Sequence, residues 1–333
     1  PMNRSVQVLG DSTSMQGAAL LMAMLTVVLI ASLASYGLWQ QQRTLAVEQA
    51  ERDAQQAHWL LNGAQDWARL VLREDARSSQ SDHLAEPWAT PLREARLSRF
   101  LAASASGVVH APEGVAEEAF LSGRIQDLQG RLNVTNLVNG GRLNPEALKA
   151  FARLYEVLGL PEQELLTWTQ ALRAASESSE KPTQPWMPQR VTQLGWLGIP
   201  VMSLKRLNPH ITVLPVSTTV NLNTASPEVL FASVDGLSVA TAQQWVQARS
   251  DQPFDNLEAI RQRMGPSAQS VNETRHSVQS RYFEVLGQLT LRDLQMTQRA
   301  VVQRDGLEIK TLWREYTPHE LDPHCPHPSD LRC

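Results

Sequence analysis

The side chains best equipped for chemistry gather at the C-terminal end, where TPHELDPHCPHPSDLRC brings together His319, His324, Cys325, His327 and Cys333. Imidazoles and thiolates are zinc ligands, but these have no regular ligand spacing, and Pro318, Pro323, Pro326 and Pro328 leave no helix or hairpin to order them. The run therefore reads as an unstructured end in which Cys325 and Cys333 would close an optional disulfide in an oxidising compartment. They are the only two cysteines, so no cysteine framework holds the fold. His83 has no His or Cys near it in sequence, which argues against a metal role. No Ser-His-Asp context, phosphate loop or recognisable carboxylate pair occurs, and a non-enzymatic protein is expected.

A second candidate is VNLNTASPEVLFASVDGLSVATAQQWVQARSDQPFDNLEAI. It resembles a helix-hairpin-helix half-motif over residues 220–265: Ser226 caps a helix opened by Pro227, Asp235-Gly236-Leu237-Ser238 forms the hairpin, and a second helix carries Ala242, Trp245 and Val246. In DNA-binding versions the hairpin amides hold a phosphate with help from basic neighbours. Here Arg249, Arg261, Arg263 and Arg275 face Glu228, Asp235, Asp251, Asp255, Glu258 and Glu273; four bases against six acids leave −2 over residues 220–275. That balance repels a phosphate backbone, so a packing module used for protein contact is expected and nucleic acid is not.

The elements that position these candidates start from one apolar stretch. Ala18 to Trp39, AALLMAMLTVVLIASLASYGLW, is twenty-two residues without a charge. As a helix it is roughly 33 Å long, enough to cross a bilayer. The helix is expected to continue amphipathically to about Glu74, because Leu45, Ala50, Ala54, Ala57, Leu60, Leu61, Ala64, Trp67, Ala68 and Val71 recur near helical spacing. The 333 residues, 42% of them apolar and with a net charge of −4, suffice for further packed domains and give no general attraction to nucleic acid or anionic lipid. Pro-interrupted residues 78–111 read as a loop with one short helix over Leu92–Leu101. Strands are expected within Phe120–Val138, where Asp127 and Asn133 would hydrogen-bond the adjoining turns, and over Arg281–Leu291, Met296–Arg304 and Leu307–Tyr316, with a tight turn at Asp305-Gly306. Between these sets lie helices announced by Asn144-Pro145 and Pro161-Glu162.

The N-terminus fits three readings: an uncleaved anchor, a signal peptide cut near Ser35, or a prepilin-type leader cut before the apolar run. Four landmarks in order, QGAALL, SDHLAEPWA (Ser81 to Ala89), RIQDLQGRLNVTNLV (Arg124 to Val138) and VNLNTASPEVL (Val220 to Leu230), resemble the minor pseudopilin K family of type II secretion over residues 16–316. The fifth residue after Gly17 is Met22, where most pilins carry Glu; its absence is expected in this family. Ser14-Met15 departs from the usual basic leader, so positive-inside orientation is weakly marked.

The resemblance implies an α+β, type IV pilin-like fold, with a long N-terminal transmembrane helix packed on an antiparallel sheet, and a large all-helical inserted domain. The divisions expected are a leader (1–17), a transmembrane part (18–39), a pilin-like first part (40–140), the insertion (141–278), C-terminal strands (279–317) and a flexible tail (318–333). Prepilin peptidase would cut after Gly17 and methylate the amine of Ala18. Minor pseudopilins I and J and the major pseudopilin would be partners, with the chain anchored once in the bacterial inner membrane and its bulk in the periplasm. It would initiate or cap the pseudopilus that exports folded proteins. A competing class is a membrane-tethered DNA receptor of a competence system using residues 220–265. The family also suggests calcium held by an acidic run after a Trp in the insertion. After Trp168 this chain has only Glu177 and Glu180 nearby, too few oxygens for a calcium cage, and no cofactor is firmly expected.

Overall fold

The computed structural model describes residues 13–99, 115–177 and 186–320, in two compact units that divide between His58 and Trp59. Helix α1 covers Thr13–Ser78. In the first unit every side chain from Ala18 to Ala50 is exposed. The apolar part of this helix has no protein face to bury, which fits a single-pass membrane anchor. Tyr36 and Trp39 lie with ring centroids 6.3 Å apart, and the Arg43 guanidinium is 5.7 Å from the Trp39 ring. Aromatic and basic groups ending an apolar span suit a membrane-water boundary.

The second unit carries the pilin-like sheet. Leu61, Gln65, Ala68, Leu72 and Asp75 of α1 are buried at alternating four- and three-residue steps, the stripe a helix presents to a sheet. The sheet has five antiparallel strands in chain order: β1 (Leu92–Arg96), β2 (Ala119–Asp127), β3 (Tyr282–Leu291), β4 (Leu294–Asp305) and β5 (Glu308–Glu320). β2 pairs directly with β3, from Ala119 opposite Leu291 to Asp127 opposite Phe283. Leu72, Trp88, Ile125, Phe283, Val285 and Val302 close the core between helix and sheet, with Trp88 edge-on to Phe283 at 5.3 Å. Gly123 is required there, because a Cβ at that position would stand 2.8 Å from the Leu286 carbonyl oxygen.

Two local expectations are corrected. The start of the helix expected over Leu92–Leu101 is strand β1: its Ala95 and Arg96 pair with Leu121 and Phe120, and backbone pairing at the sheet edge overrides the helical spacing of Leu92 and Ala95. The β4–β5 turn is Gly306-Leu307, one residue later than read, because Asp305 pairs with Glu308 and the positive φ of 59° falls on Gly306 as first turn residue.

Residues 128–281 leave the sheet at the end of β2 and return at β3. Their helices are α2 (Pro145–Val157), α3 (Glu162–Ser176), α4 (Val201–Leu207), α5 (Pro227–Ser233), α6 (Val239–Asp251) and α7 (Leu257–Met264). The expected caps are present: the Asn144 side chain accepts from the Glu146 amide, Ser226 from that of Val229, and Pro145 and Pro227 occupy the first helical positions. Ser238, read as part of the hairpin, is the N-cap of α6, accepting from the Thr241 amide at 3.1 Å. Phe151, Tyr155, Trp168, Leu230, Trp245 and Phe254 belong to one core, in which the Trp168 indole donates to Tyr155 Oη at 2.8 Å. Two short parallel bridges fasten the insertion: Leu132–Asn133 with Ile211–Thr212, and Val220–Asn221 with His276–Ser277.

Candidate functional site

Three of the sequence landmarks, far apart in the chain, converge on one buried polar junction between sheet and insertion. Asn221, fully buried, sits at its centre: its Nδ2 lies within bonding distance of the Asp82 carbonyl (3.1 Å), Asp127 Oδ2 (3.0 Å) and Ser280 Oγ (2.9 Å). Asp127 Oδ2 also accepts from Thr224 Oγ1 and Ser280 Oγ, both at 2.6 Å, while its Oδ1 accepts from the Gln129 amide at 2.7 Å. Burial raises the Asp127 carboxyl above its usual range, and these donors oppose the rise. Gly130 belongs to the same contact, since a Cβ there would press to 2.7 Å from Thr224 Oγ1. Asn223 exchanges both amide bonds with the Phe254 backbone, at 2.9 and 3.0 Å. Asn133 accepts from the Thr135 and Leu214 amides, so Asp127 and Asn133 do hydrogen-bond their adjoining turns.

Beside this network lies a cluster of charges. Arg304 donates through Nη1 to Asp75 Oδ2 at 3.0 Å, through Nη2 to both Asp82 oxygens, and to the Ser280 carbonyl at 2.8 Å; its guanidinium is 4.9 Å from the Phe283 ring. Asp82 Oδ2 takes a further bond from the Ser280 amide at 2.6 Å. Glu86 accepts through Oε2 from the His83 amide at 2.9 Å and the Trp88 indole at 2.7 Å. Burial, then the negative charges of Glu86 and Asp82, push the Asp75 carboxyl up to about 7 against the pull of Arg304. Asp82 is raised by burial too, with Arg304 opposing. The three carboxylates and Arg304 tie the C-terminal end of α1 and the loop after it to β4.

The hairpin segment has another character. Arg249 is buried and donates to the Leu222 and Ala225 carbonyls, both at 2.6 Å. Arg261 binds the Val271 carbonyl and Glu258, Arg263 the Gln252 and Ala248 carbonyls, and Arg275 reaches Asp235 and Glu146. All four arginines of the segment are committed to the fold. The hairpin itself, with Gly236 at φ 79°, carries the Asp235 carboxylate, paired with Lys149 and Arg275. With its arginines bound to carbonyls and carboxylates of its own fold, the hairpin makes a poor phosphate cradle.

Of the remaining expected positions, Gly17 and Ala18 lie on α1, and Glu177 is exposed at the end of α3. Glu180, Cys325, Cys333, His324 and His327 lie outside the described residues. Residues missed in the sequence are Asp75, Glu86, Ser280 and Arg304. The pairing partners Asp75 and Arg304 stand 229 positions apart, and no local pattern links them.

The family described as type II secretion system (T2SS), protein K matches residues 220–279, and a second domain description of the same family matches residues 130–216. The chain is similar to type II secretion system protein K of Pseudomonas aeruginosa, with 24% identity over 90% of this chain and 92% of the relative. It is also similar to that of Klebsiella pneumoniae, with 25% identity over 90% and 96%. Its fold matches a chain of the crystal structure of the GspK-GspI-GspJ complex from enterotoxigenic Escherichia coli, with TM-score 0.62 and 18% identity over 81% of this chain and 98% of that one.

Proposed function

We propose, because the chain belongs to the type II secretion system protein K family, that it works as the minor pseudopilin at the pseudopilus tip, initiating or capping assembly for export of folded proteins. On this reading Ala18–Trp39 crosses the inner membrane once and the bulk of the chain lies in the periplasm. Prepilin peptidase cuts after Gly17 and methylates Ala18. The partners are minor pseudopilins I and J, which share the complex named for the E. coli structure, and the major pseudopilin.

The observation that carries this reading is the direct pairing of β2 with β3 across an excursion of residues 128–281. The pilin-like sheet is complete without the insertion. The insertion departs where Asp127 and Tyr282 meet, and the carboxylates that pair with Arg304 put this at the Asp75 end of α1, the end farthest in sequence from the apolar segment. A body of that size at that end obstructs the addition of a further subunit. Met22 fits the same position: a subunit with none above it has no neighbouring N-terminal amine to neutralise, and a carboxylate inside the bilayer would be costly.

The test is immunogold labelling of pseudopili assembled with an epitope-tagged chain, together with the intact mass of the mature protein. Label at one end only, and a mass lacking residues up to Gly17 with one added methyl group, are the expected results. Label along the length would overturn the tip assignment, and an uncut chain or a cut near Ser35 would overturn the processing.

A further inference from the structure

The charge cluster beneath the sheet holds more negative charge than its arginine neutralises. Asp75, Asp82 and Glu86 are each buried, and each brings a carboxylate oxygen within 4.8 Å of the others. Three ionised carboxylates and one guanidinium leave a net −2 in a place largely without water. Such a site takes up protons or gathers a cation.

Glu86 separates these outcomes. Its carboxylate is 94% buried as a side chain, and Oε2 is occupied by the His83 amide and the Trp88 indole. Oε1 has no hydrogen-bond donor among the described residues; the nearest basic atom, His83 Nε2, is 3.8 Å away. One oxygen of the Glu86 carboxylate lies within 4.8 Å of oxygens of both Asp75 and Asp82, so this carboxylate reaches into the cluster. A buried anionic oxygen without a donor costs several kcal/mol unless something positive faces it.

We propose that Asp75, Asp82 and Glu86 form a binding site for a hard divalent cation of the calcium type. Oxygens bound to one calcium ion at about 2.4 Å each stand no more than about 4.8 Å apart, the span within which these three atoms lie. The donors are carboxylate oxygens alone, which favours calcium or magnesium over zinc. Arg304 engages both oxygens of Asp82 and one of Asp75 but none of Glu86, so an ion here shares Asp82 with the guanidinium and takes its remaining ligands from the second Asp75 oxygen and from Glu86. The site is distinct from the stretch after Trp168, where Glu177 is exposed. Occupied, it cross-links α1 to the loop that carries Glu86 and Trp88, next to the point where the insertion leaves the sheet.

The experiment uses the full chain in detergent micelles after EDTA stripping. Terbium is the optical probe: the Trp88 indole, bonded to Glu86, is placed to sensitise its luminescence. Calcium is the competitor, and melting temperature is the second readout. Saturable terbium emission displaced by calcium is expected, with apparent affinity at least about tenfold weaker in Glu86→Gln. Trp88→Phe should lose the emission attributable to this site yet keep the calcium-induced rise in melting temperature, whereas Glu86→Gln loses both. Asp75→Asn serves as a second ligand variant should Glu86→Gln fold poorly. A wild-type melting temperature unmoved by millimolar calcium or magnesium would overturn the proposal. So would a folded ligand variant that keeps the wild-type shift.

Discussion

Arg304 and Arg249 both put a guanidinium into the interior, and the two halves of the molecule satisfy them in opposite ways. In the pilin-like half Arg304 meets carboxylates, Asp75 and Asp82, with one carbonyl. In the insertion Arg249 meets only carbonyls, those of Leu222 and Ala225, and burial without a counter-charge lowers it to about 10. The first arrangement is an ion cluster whose members depend on one another. The second is a hydrogen-bonded plug in the single turn between Asn221 and α5. The difference lies in what remains after the arginine is removed: buried anions in one case, buried dipoles in the other.

That contrast sets the size of the expected effects. Arg304→Ala strands carboxylates already strained by burial, and a loss of about 3–5 kcal/mol is expected in denaturant unfolding of the full chain in micelles. Arg249→Met leaves two carbonyls unbonded but also removes a desolvated charge, so its cost should be about 1–3 kcal/mol. Equal losses in the two variants would break the comparison.

A smaller effect sharpens it. His276 is buried in the insertion, with its Nε2 facing the Ser233 carbonyl and its Nδ1 accepting from the Asn272 amide, and burial lowers it from 6.5 to about 4. Its folded form binds fewer protons than its unfolded form between those values. Stability from this group is therefore full above pH 6.5 and is lost as pH falls towards 4. At pH 5.5 the loss is about 1 kcal/mol. Asp75 contributes with the opposite sign, since its raised carboxyl favours the folded state at low pH. The measurement is accordingly the difference in melting temperature between wild type and His276→Gln across pH 4.5–7.5. It should narrow as pH falls; a constant difference would show that His276 does not titrate in this range.

Much of the scaffold was legible from local chemistry. The uncharged run from Ala18, the Asn144-Pro145 and Ser226-Pro227 helix starts and the alternating strands after Arg281 each follow from a few neighbouring residues. The strand at Leu92–Arg96 was not, because its five residues also satisfy helical spacing and only the edge of β2 decides between the two. The junction was legible in pieces: Asp127 and Asn133 were visible as turn residues, and the landmarks around Asp82 and Asn221 stood out as motifs. That these motifs touch is a tertiary fact. Asn221 lies 94 positions from Asp127 and 59 from Ser280, and nothing in either local pattern encodes the contact.

The direct pairing of β2 with β3 has a kinetic consequence. A strand that must wait for a partner more than a hundred residues later exposes a bare edge while the chain is synthesised, and bare edges invite aggregation. The insertion shortens that wait. Its contacts are largely local and helical, the kind that form early. Once folded, its two ends are already joined, by the Leu128 amide to the Tyr282 carbonyl at 3.0 Å and the Arg281 amide to Gln129 Oε1 at 2.7 Å. A long, entropically costly loop is thereby converted into a prebuilt clasp that delivers β3 to β2 in register.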